Sequence, residues 1–103
     1  MMPKVTTQLR RSSGNVFRDL GFAAEEAENL RIRAELMVRL TRVIESEGLT
    51  QAEAARFLGV TQPRVSDLTR GKIGLFSIDT LVKMLGKAGM RVTVTARRGK
   101  RVA

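Results

Sequence analysis

The stretch 62–70 carries several hydrogen-bonding side chains of the types that contact base edges in DNA. Gln62 carries the adjacent donor and acceptor that match adenine, and Arg64 carries the fork that matches guanine O6 and N7 or a phosphate. Asp67 has two alternatives, because it can accept a hydrogen bond from cytosine or orient Arg64. Gln and Arg on an exposed helix also serve as ordinary solubilising residues, so the elements around them decide between these interpretations.

The surrounding residues predict two short helices joined by a tight turn. Thr50 suits the N-cap of the first helix, with Glu53 completing a capping box, and Gly59 ends that helix. Thr61 caps the second helix, where Pro63 lies in the first turn and its missing N–H costs little. Small and apolar side chains let the two helices approach closely: Ala54, Ala55, Leu58, Val65 and Leu68. This is the outline of a helix-turn-helix that places its second helix on DNA.

The stretch 49–72 resembles the helix-turn-helix of the XRE (Cro/repressor-like) family. That family's pattern of Gln, Ala, Gly, a β-branched residue and Leu falls on Gln51, Ala55, Gly59, Val65 and Leu68. The flanks resemble the small HigA-type antitoxins, with GNVFRDLGF at 14–22 and SIDTLVKMLGKAGMRVTV at 77–94. The resemblance covers residues 14–96 and implies an all-α, lambda-repressor-like helix-turn-helix bundle. It also implies a partner, since HigA-type antitoxins pair with RelE/HigB-type toxins.

Both helices of the motif supply residues that we expect to contact DNA. By the resemblance, Thr50 and Gln51 meet the phosphate backbone at the start of the first helix, and Lys72 does so just past the second. Pro63 stands where phage repressors have a polar residue, which predicts one base contact fewer and an apolar contact with a thymine methyl. The predicted DNA-binding residues are Thr50, Gln51, Thr61, Gln62, Pro63, Arg64, Ser66, Asp67, Arg70 and Lys72.

The composition favours a polyanionic partner and argues against other classes of protein. Against 10 Asp and Glu stand 19 Lys and Arg, a formal net charge of +9, and the excess lies mainly in residues 1–14 and 77–103. The chain has no Cys and no His, so we expect no metal site, no cofactor and no enzymatic activity. No apolar run suits a signal peptide or a membrane span, which predicts a cytoplasmic protein.

The rest of the chain predicts one domain, residues 14–96, between a flexible arm at 1–13 and a basic tail at 97–103. The longest helix spans 24–47, with Leu30, Ala34, Met37, Leu40 or Thr41, and Ile44 on its core-facing stripe. Before that helix, Asn15 caps a short turn that leaves a small apolar cluster for the domain to cover: Phe17, Leu20 and Phe22. After the motif, Ser77 caps a helix from Ile78 to about Ala88.

Residues 90–96 alternate in polarity and predict a half-buried β-strand, with Met90, Val92 and Val94 on its apolar side. A lone strand cannot satisfy its own backbone groups, and the same strand of a second subunit is the simplest partner. Pairing with the N-terminal arm, or a loose tail, are the alternatives. The prediction is therefore a homodimer joined through this strand, with dimerisation residues Met90, Val92 and Val94.

Together these features predict a repressor that binds a pseudo-palindromic operator in double-stranded DNA. The resemblance further implies the autoregulating antitoxin of a type II toxin–antitoxin pair. For a RelE/HigB-type toxin, which is basic, the expected contact is the arm at 1–13, the apolar cluster at its root and the neighbouring acidic residues Glu25, Glu26 and Glu28. The alternative is a stand-alone prophage-type regulator without a toxin.

Overall fold

The computed structural model of the protein describes residues 15–98 and folds them into five α-helices and one 3-10 turn. The helices are α1 Val16–Asp19, α2 Ala24–Ser46, α3 Gln51–Leu58, α4 Gln62–Thr69 and α5 Ile78–Lys87, with the 3-10 turn Ile73–Leu75 between α4 and α5. The predicted arm at 1–13 and the tail residues 99–103 lie outside the described residues. Within residues 15–98, none of the helices has both the length and the apolar character needed to cross a bilayer.

Helix boundaries follow from caps formed within a few residues. The Thr50 hydroxyl accepts from the Glu53 backbone N–H at 3.1 Å, and the Glu53 carboxylate accepts from the Thr50 N–H at 2.9 Å. This confirms the predicted capping box of α3. The helix ends at Gly59, whose φ of 71° lies in the left-handed region that favours glycine. Ser77 caps α5 as predicted, accepting from the Thr80 N–H at 3.1 Å.

The core lies where α2 and α5 pack against each other and against the α3–α4 pair. Ala54 and Ala55 are buried, and their small side chains let α3 and α4 pack closely, as predicted. Phe76 is only 1% exposed, which places a residue of the connecting loop at the centre of the domain. The residues of the core cluster are Met37, Leu40, Ile44, Ala54, Ala55, Leu58, Val65, Leu68, Phe76, Leu81, Met84 and Leu85.

The prediction of a C-terminal strand is wrong for the single chain, because residues 90–98 have no regular secondary structure. The Met90 N–H donates to the Leu85 carbonyl at 2.9 Å, closing the end of α5 rather than opening a strand. Val92 packs against the core, whereas Val94 is 85% exposed. A strand needs a neighbour for its backbone groups, and residues 15–98 contain no strand that could supply one.

The expectation that the domain covers the N-terminal apolar cluster is wrong for Leu20 and Phe22, whereas Phe17 is half-buried. Asn15 caps α1 as predicted, and its Nδ2 donates to the Ala27 carbonyl of α2 at 3.1 Å. This short helix nevertheless leaves Leu20 68% and Phe22 42% exposed. The helix is a single turn, so it is too short to bury both of its ends against α2.

Candidate nucleic-acid interface

Helix α4 presents a polar face to solvent because the core takes up its apolar residues. Val65 and Leu68 are 0% and 1% exposed, which directs the other side of the helix outward. The Thr61 hydroxyl caps the helix, accepting from the Arg64 N–H at 3.4 Å. Gln62 and Pro63 are exposed in the first turn, followed along the same helix by the half-buried Ser66 and Asp67 and, at its C-cap, the exposed Arg70.

At the start of α3, Thr50 and Gln51 are both exposed. The Thr50 hydroxyl oxygen is used by the Glu53 N–H, but a hydroxyl that accepts a hydrogen bond retains its own hydrogen for a further acceptor. A phosphate oxygen is such an acceptor. The capping role of Thr50 is therefore compatible with the phosphate contact that the resemblance implies.

Asp67 pairs with Lys72 rather than with Arg64. The Lys72 Nζ lies 3.7 Å from Asp67 Oδ1, and the Lys72 backbone N–H donates to the Asp67 carbonyl at 3.0 Å. The Lys72 side chain remains 47% exposed, so its ammonium is accessible to an anion from outside. These contacts attach the beginning of the loop after α4 to the last turn of that helix.

Arg64 is directed toward the loop that follows its own helix. Its Nη1 donates to the Leu75 carbonyl at 2.8 Å, and its guanidinium carbon lies 4.1 Å from the centre of the Phe76 ring. That distance is within the range of a cation–π contact. The guanidinium that the sequence offered as a base or phosphate ligand is thus held against residues 75–76 in the free protein.

Arg33 of α2 is a residue that the sequence reasoning missed. Its Nε donates to Asn29 Oδ1 at 2.8 Å, and its Nη1 donates to the carbonyls of Ile73 and Phe76 at 3.2 and 3.3 Å. The available signal was its spacing, three residues after Leu30 and four before Met37, which places a cation beside the buried stripe. The two carbonyls that it binds belong to residues forty or more positions away in the chain, beyond the reach of helical periodicity.

A second candidate surface, with both apolar and charged side chains, lies at α1 and the N-terminal end of α2 and does not belong to the helix-turn-helix motif. Phe17, Leu20 and Phe22 form an N-terminal apolar patch, in which the rings of Phe17 and Phe22 meet edge to face with centres 6.2 Å apart. Arg31 donates to the Glu28 carboxylate at 2.6 Å, and this hydrogen bond lowers the pKa of Glu28 and raises that of Arg31. Among the predicted acidic residues, Glu28 thus already has a cation beside it.

The chain matches a known protein family and is similar to individual known proteins. The family described as "Helix-turn-helix domain" matches residues 16–97, which include every described helix. A protein of Mycobacterium tuberculosis named "Putative antitoxin HigA2" is 30% identical over 83 residues, covering 80% of this chain and 82% of that protein. A solved structure named "Putative XRE Family Transcriptional Regulator" matches with a TM-score of 0.68 at 34% identity, covering 76% of this chain and 90% of the other.

Proposed function

The chain belongs to the XRE-type helix-turn-helix family of transcriptional regulators, and from this premise we propose that it represses transcription by placing α4 in the major groove of an operator. The observation that carries the proposal is the exposed first turn of α4, fixed by its cap and by the two buried residues behind it. A rigid helix with polar side chains at its N-terminal end is what major-groove reading requires.

The proposed division of roles follows exposure. Gln62 reads adenine, Pro63 contacts a thymine methyl, and Ser66 is placed to reach the neighbouring base. Phosphate contacts come from the exposed residues that flank the two helices, namely Thr50, Gln51, Thr61, Arg70 and Lys72. Asp67 serves the interface indirectly by holding the Lys72 ammonium near the end of α4.

The test of this proposal is selection of duplexes by the purified protein from a randomised pool. We expect enrichment of one sequence with two half-sites, bound at least a hundredfold more tightly than a scrambled duplex, in line with the about 10³ or more typical of specific DNA-binding proteins. Fluorescence anisotropy at several salt concentrations measures both affinities. No enrichment, or equal affinities for the two duplexes, would show that the protein is not a sequence-specific regulator.

A homodimer is the proposed binding form, because two half-sites about 34 Å apart need two linked recognition helices. Residues 90–96 are the proposed link. The segment has no regular secondary structure of its own, and its Val94 side chain is 85% exposed. Pairing with the same segment of a second copy would satisfy the backbone and cover that side chain.

We further propose that the regulator is an antitoxin that neutralises a RelE/HigB-type toxin and regulates its own operon. Support comes from the similarity to the HigA2 protein and from the N-terminal apolar patch, in which Leu20 and Phe22 are exposed. Such a patch on a small domain is typical of a surface that a partner covers. The acidic side chains of Glu25 and Glu26, exposed at the start of α2, add charge complementary to a basic partner.

Co-expression with the toxin-like protein of the adjacent gene tests the antitoxin role. Leu20→Lys places a charge in the patch and should weaken toxin binding by about tenfold or more, because it buries a lysine and repels a basic partner. Leu75→Lys is the matched control, since Leu75 is also exposed, at 51%, but lies beside α4. Deletion of residues 1–23 should abolish rescue while leaving much of the operator affinity.

Full rescue by both Leu20→Lys and a folded deletion variant would contradict this placement of the toxin contact. An adjacent gene without any toxin-like product would contradict the antitoxin role itself. The chain would then be a stand-alone regulator, the alternative that the match to an XRE family regulator also supports.

A further inference from the structure

We propose that Arg33 and Arg64 are positioning residues that hold the loop at residues 72–77 against α4, so that helix and loop meet one duplex as a single rigid surface. The proposal rests on the proposed DNA binding and deepens it. It assigns Arg64 to the loop rather than to a base, and it gives Arg33 of α2, which the helix-turn-helix pattern does not include, a part in DNA binding.

The loop at residues 72–77 is held through its backbone carbonyls. Three of its carbonyl oxygens accept from two guanidinium groups: Ile73 and Phe76 from Arg33, and Leu75 from Arg64. The two arginines belong to different helices, α2 and α4, so the loop is tied to both. A guanidinium is a planar, permanently charged fork and is therefore well suited to fix carbonyls in one arrangement.

The same loop is also held by the packing of Phe76 beneath it. The Phe76 ring is 1% exposed and stacks under the Arg64 guanidinium at 4.1 Å, so one side chain anchors both the loop and the arginine. Leu75 beside it is 51% exposed. Arg64 is the third residue of α4, so its bond to Leu75 places this part of the loop beside the first turn of that helix.

The consequence concerns phosphate contact. The first turn of α4 is the end proposed to enter the major groove. A loop held beside that turn lies close to the sugar-phosphate backbone that borders the groove. Carbonyl oxygens repel phosphate oxygens, and here three of them are turned toward cations instead. Lys72 is the first residue of the same loop, and its side chain is 47% exposed. Holding the loop still therefore lowers the entropy that Lys72 loses on binding phosphate.

The experiment replaces each arginine by methionine and compares the variants with Arg39→Met. Arg39 is the matched control because it is an exposed arginine on the same helix as Arg33. The duplexes are the one selected by the wild-type protein and a scrambled one. Arg33→Met and Arg64→Met should each weaken binding to the selected and the scrambled duplex by a similar factor, about tenfold for a lost charge-assisted hydrogen bond. The ratio of the two affinities should therefore stay unchanged.

Two further readouts separate positioning from direct contact. Amide exchange of Leu75 and Phe76 in the free protein should accelerate in both variants and stay unchanged in Arg39→Met. Lys72→Ala should reduce the affinity for DNA by a smaller factor in the Arg33→Met background than in the wild type, because the contact of Lys72 with phosphate has already been weakened. If the affinity losses caused by Lys72→Ala and Arg33→Met are instead additive, the arginines bind phosphate independently of Lys72. That result would overturn the proposal.

The other overturning results are equally distinct. A changed ratio between selected and scrambled duplexes in Arg64→Met identifies Arg64 as a base reader. Affinities of Arg33→Met equal to those of Arg39→Met show that the loop needs no clamp, while DNA binding by the wild type still stands. If circular dichroism shows that Arg33→Met does not fold, the Arg64→Met variant alone tests the proposal, because Arg64 is half-exposed. A wild-type protein that selects no duplex refutes the proposed function and this inference with it.

Discussion

At the scale of single residues, two polar side chains of α4 that looked equivalent in the sequence have different surroundings in the fold. Gln62 is exposed in the first turn, whereas Arg64, two positions later, is half-buried against Leu75 and Phe76. A helix turns by about 100° per residue, so two positions place side chains on nearly opposite faces. We therefore expect Gln62 to read a base and Arg64 to position the loop.

Gln62→Ala is the prediction at this scale. Removing a bidentate base contact should cost about 1–3 kcal/mol for the selected duplex and leave the scrambled duplex nearly unaffected, so sequence preference relaxes at one position in each half-site. Lys72→Ala is the comparison variant, expected to weaken both duplexes alike and to flatten the salt dependence by about one unit per subunit. Anisotropy titrations measure both. An unchanged ratio in Gln62→Ala would remove Gln62 from the base-reading residues.

At the scale of elements, the turn between α3 and α4 depends on glycine at one position. Gly59 has a φ of 71°, and a Cβ built there would lie 3.4 Å from the Lys87 Cε of α5. That contact involves the far end of a flexible side chain, so the backbone conformation rather than a clash makes other residues unfavourable here. Gly86, by contrast, lies inside α5, and a Cβ built there would meet no atom of a neighbouring element within 4 Å.

The two glycines yield opposite predictions. Gly59→Ala should lower the free energy of unfolding by about 1 kcal/mol, because alanine is strained in the left-handed conformation that ends α3. Gly86→Ala should raise it by about 0.5 kcal/mol, because alanine is the better helix former and the site is open. Urea unfolding followed by circular dichroism measures both changes. A stabilising Gly59→Ala would show that the turn relaxes to another conformation.

At the scale of the whole molecule, two surfaces of the described residues 15–98 that lie outside the helix-turn-helix motif carry exposed apolar side chains. One is the N-terminal apolar patch, and the other is the C-terminal segment that carries Val94. A domain of this size buries only part of its apolar surface by itself. We therefore expect the working form to be an assembly in which partners cover both surfaces.

Val94→Lys tests the assembly with little risk to the fold, because this side chain is 85% exposed. In a paired strand, the lysine would face its symmetry mate across the interface, so the protein should become monomeric and bind the two-half-site duplex more weakly. Thr93→Lys changes the neighbouring exposed residue on the opposite face of the strand and should remain dimeric. Light scattering at micromolar concentration measures the mass. A monomeric wild-type protein would contradict the dimer.

Local interactions along the sequence determined the helices and their ends. The capping box of Thr50 and Glu53, the cap at Thr61 and the glycine at position 59 each act within about four residues, and hydrophobic spacing identified Val65 and Leu68 as buried. Such patterns depend on the chain's own neighbours, so they can be recognised without a fold.

Only the tertiary structure decided what depends on distant parts of the chain. The contacts of Arg33 with Ile73 and Phe76 join residues forty or more positions apart, and no local pattern indicates them. Exposure of Leu20 depends on how far α1 reaches along α2, and the lack of a strand at 90–96 within the described chain depends on a missing neighbour. In each case the outcome is set by packing and hydrogen bonding between distant segments, which the sequence alone does not bring together.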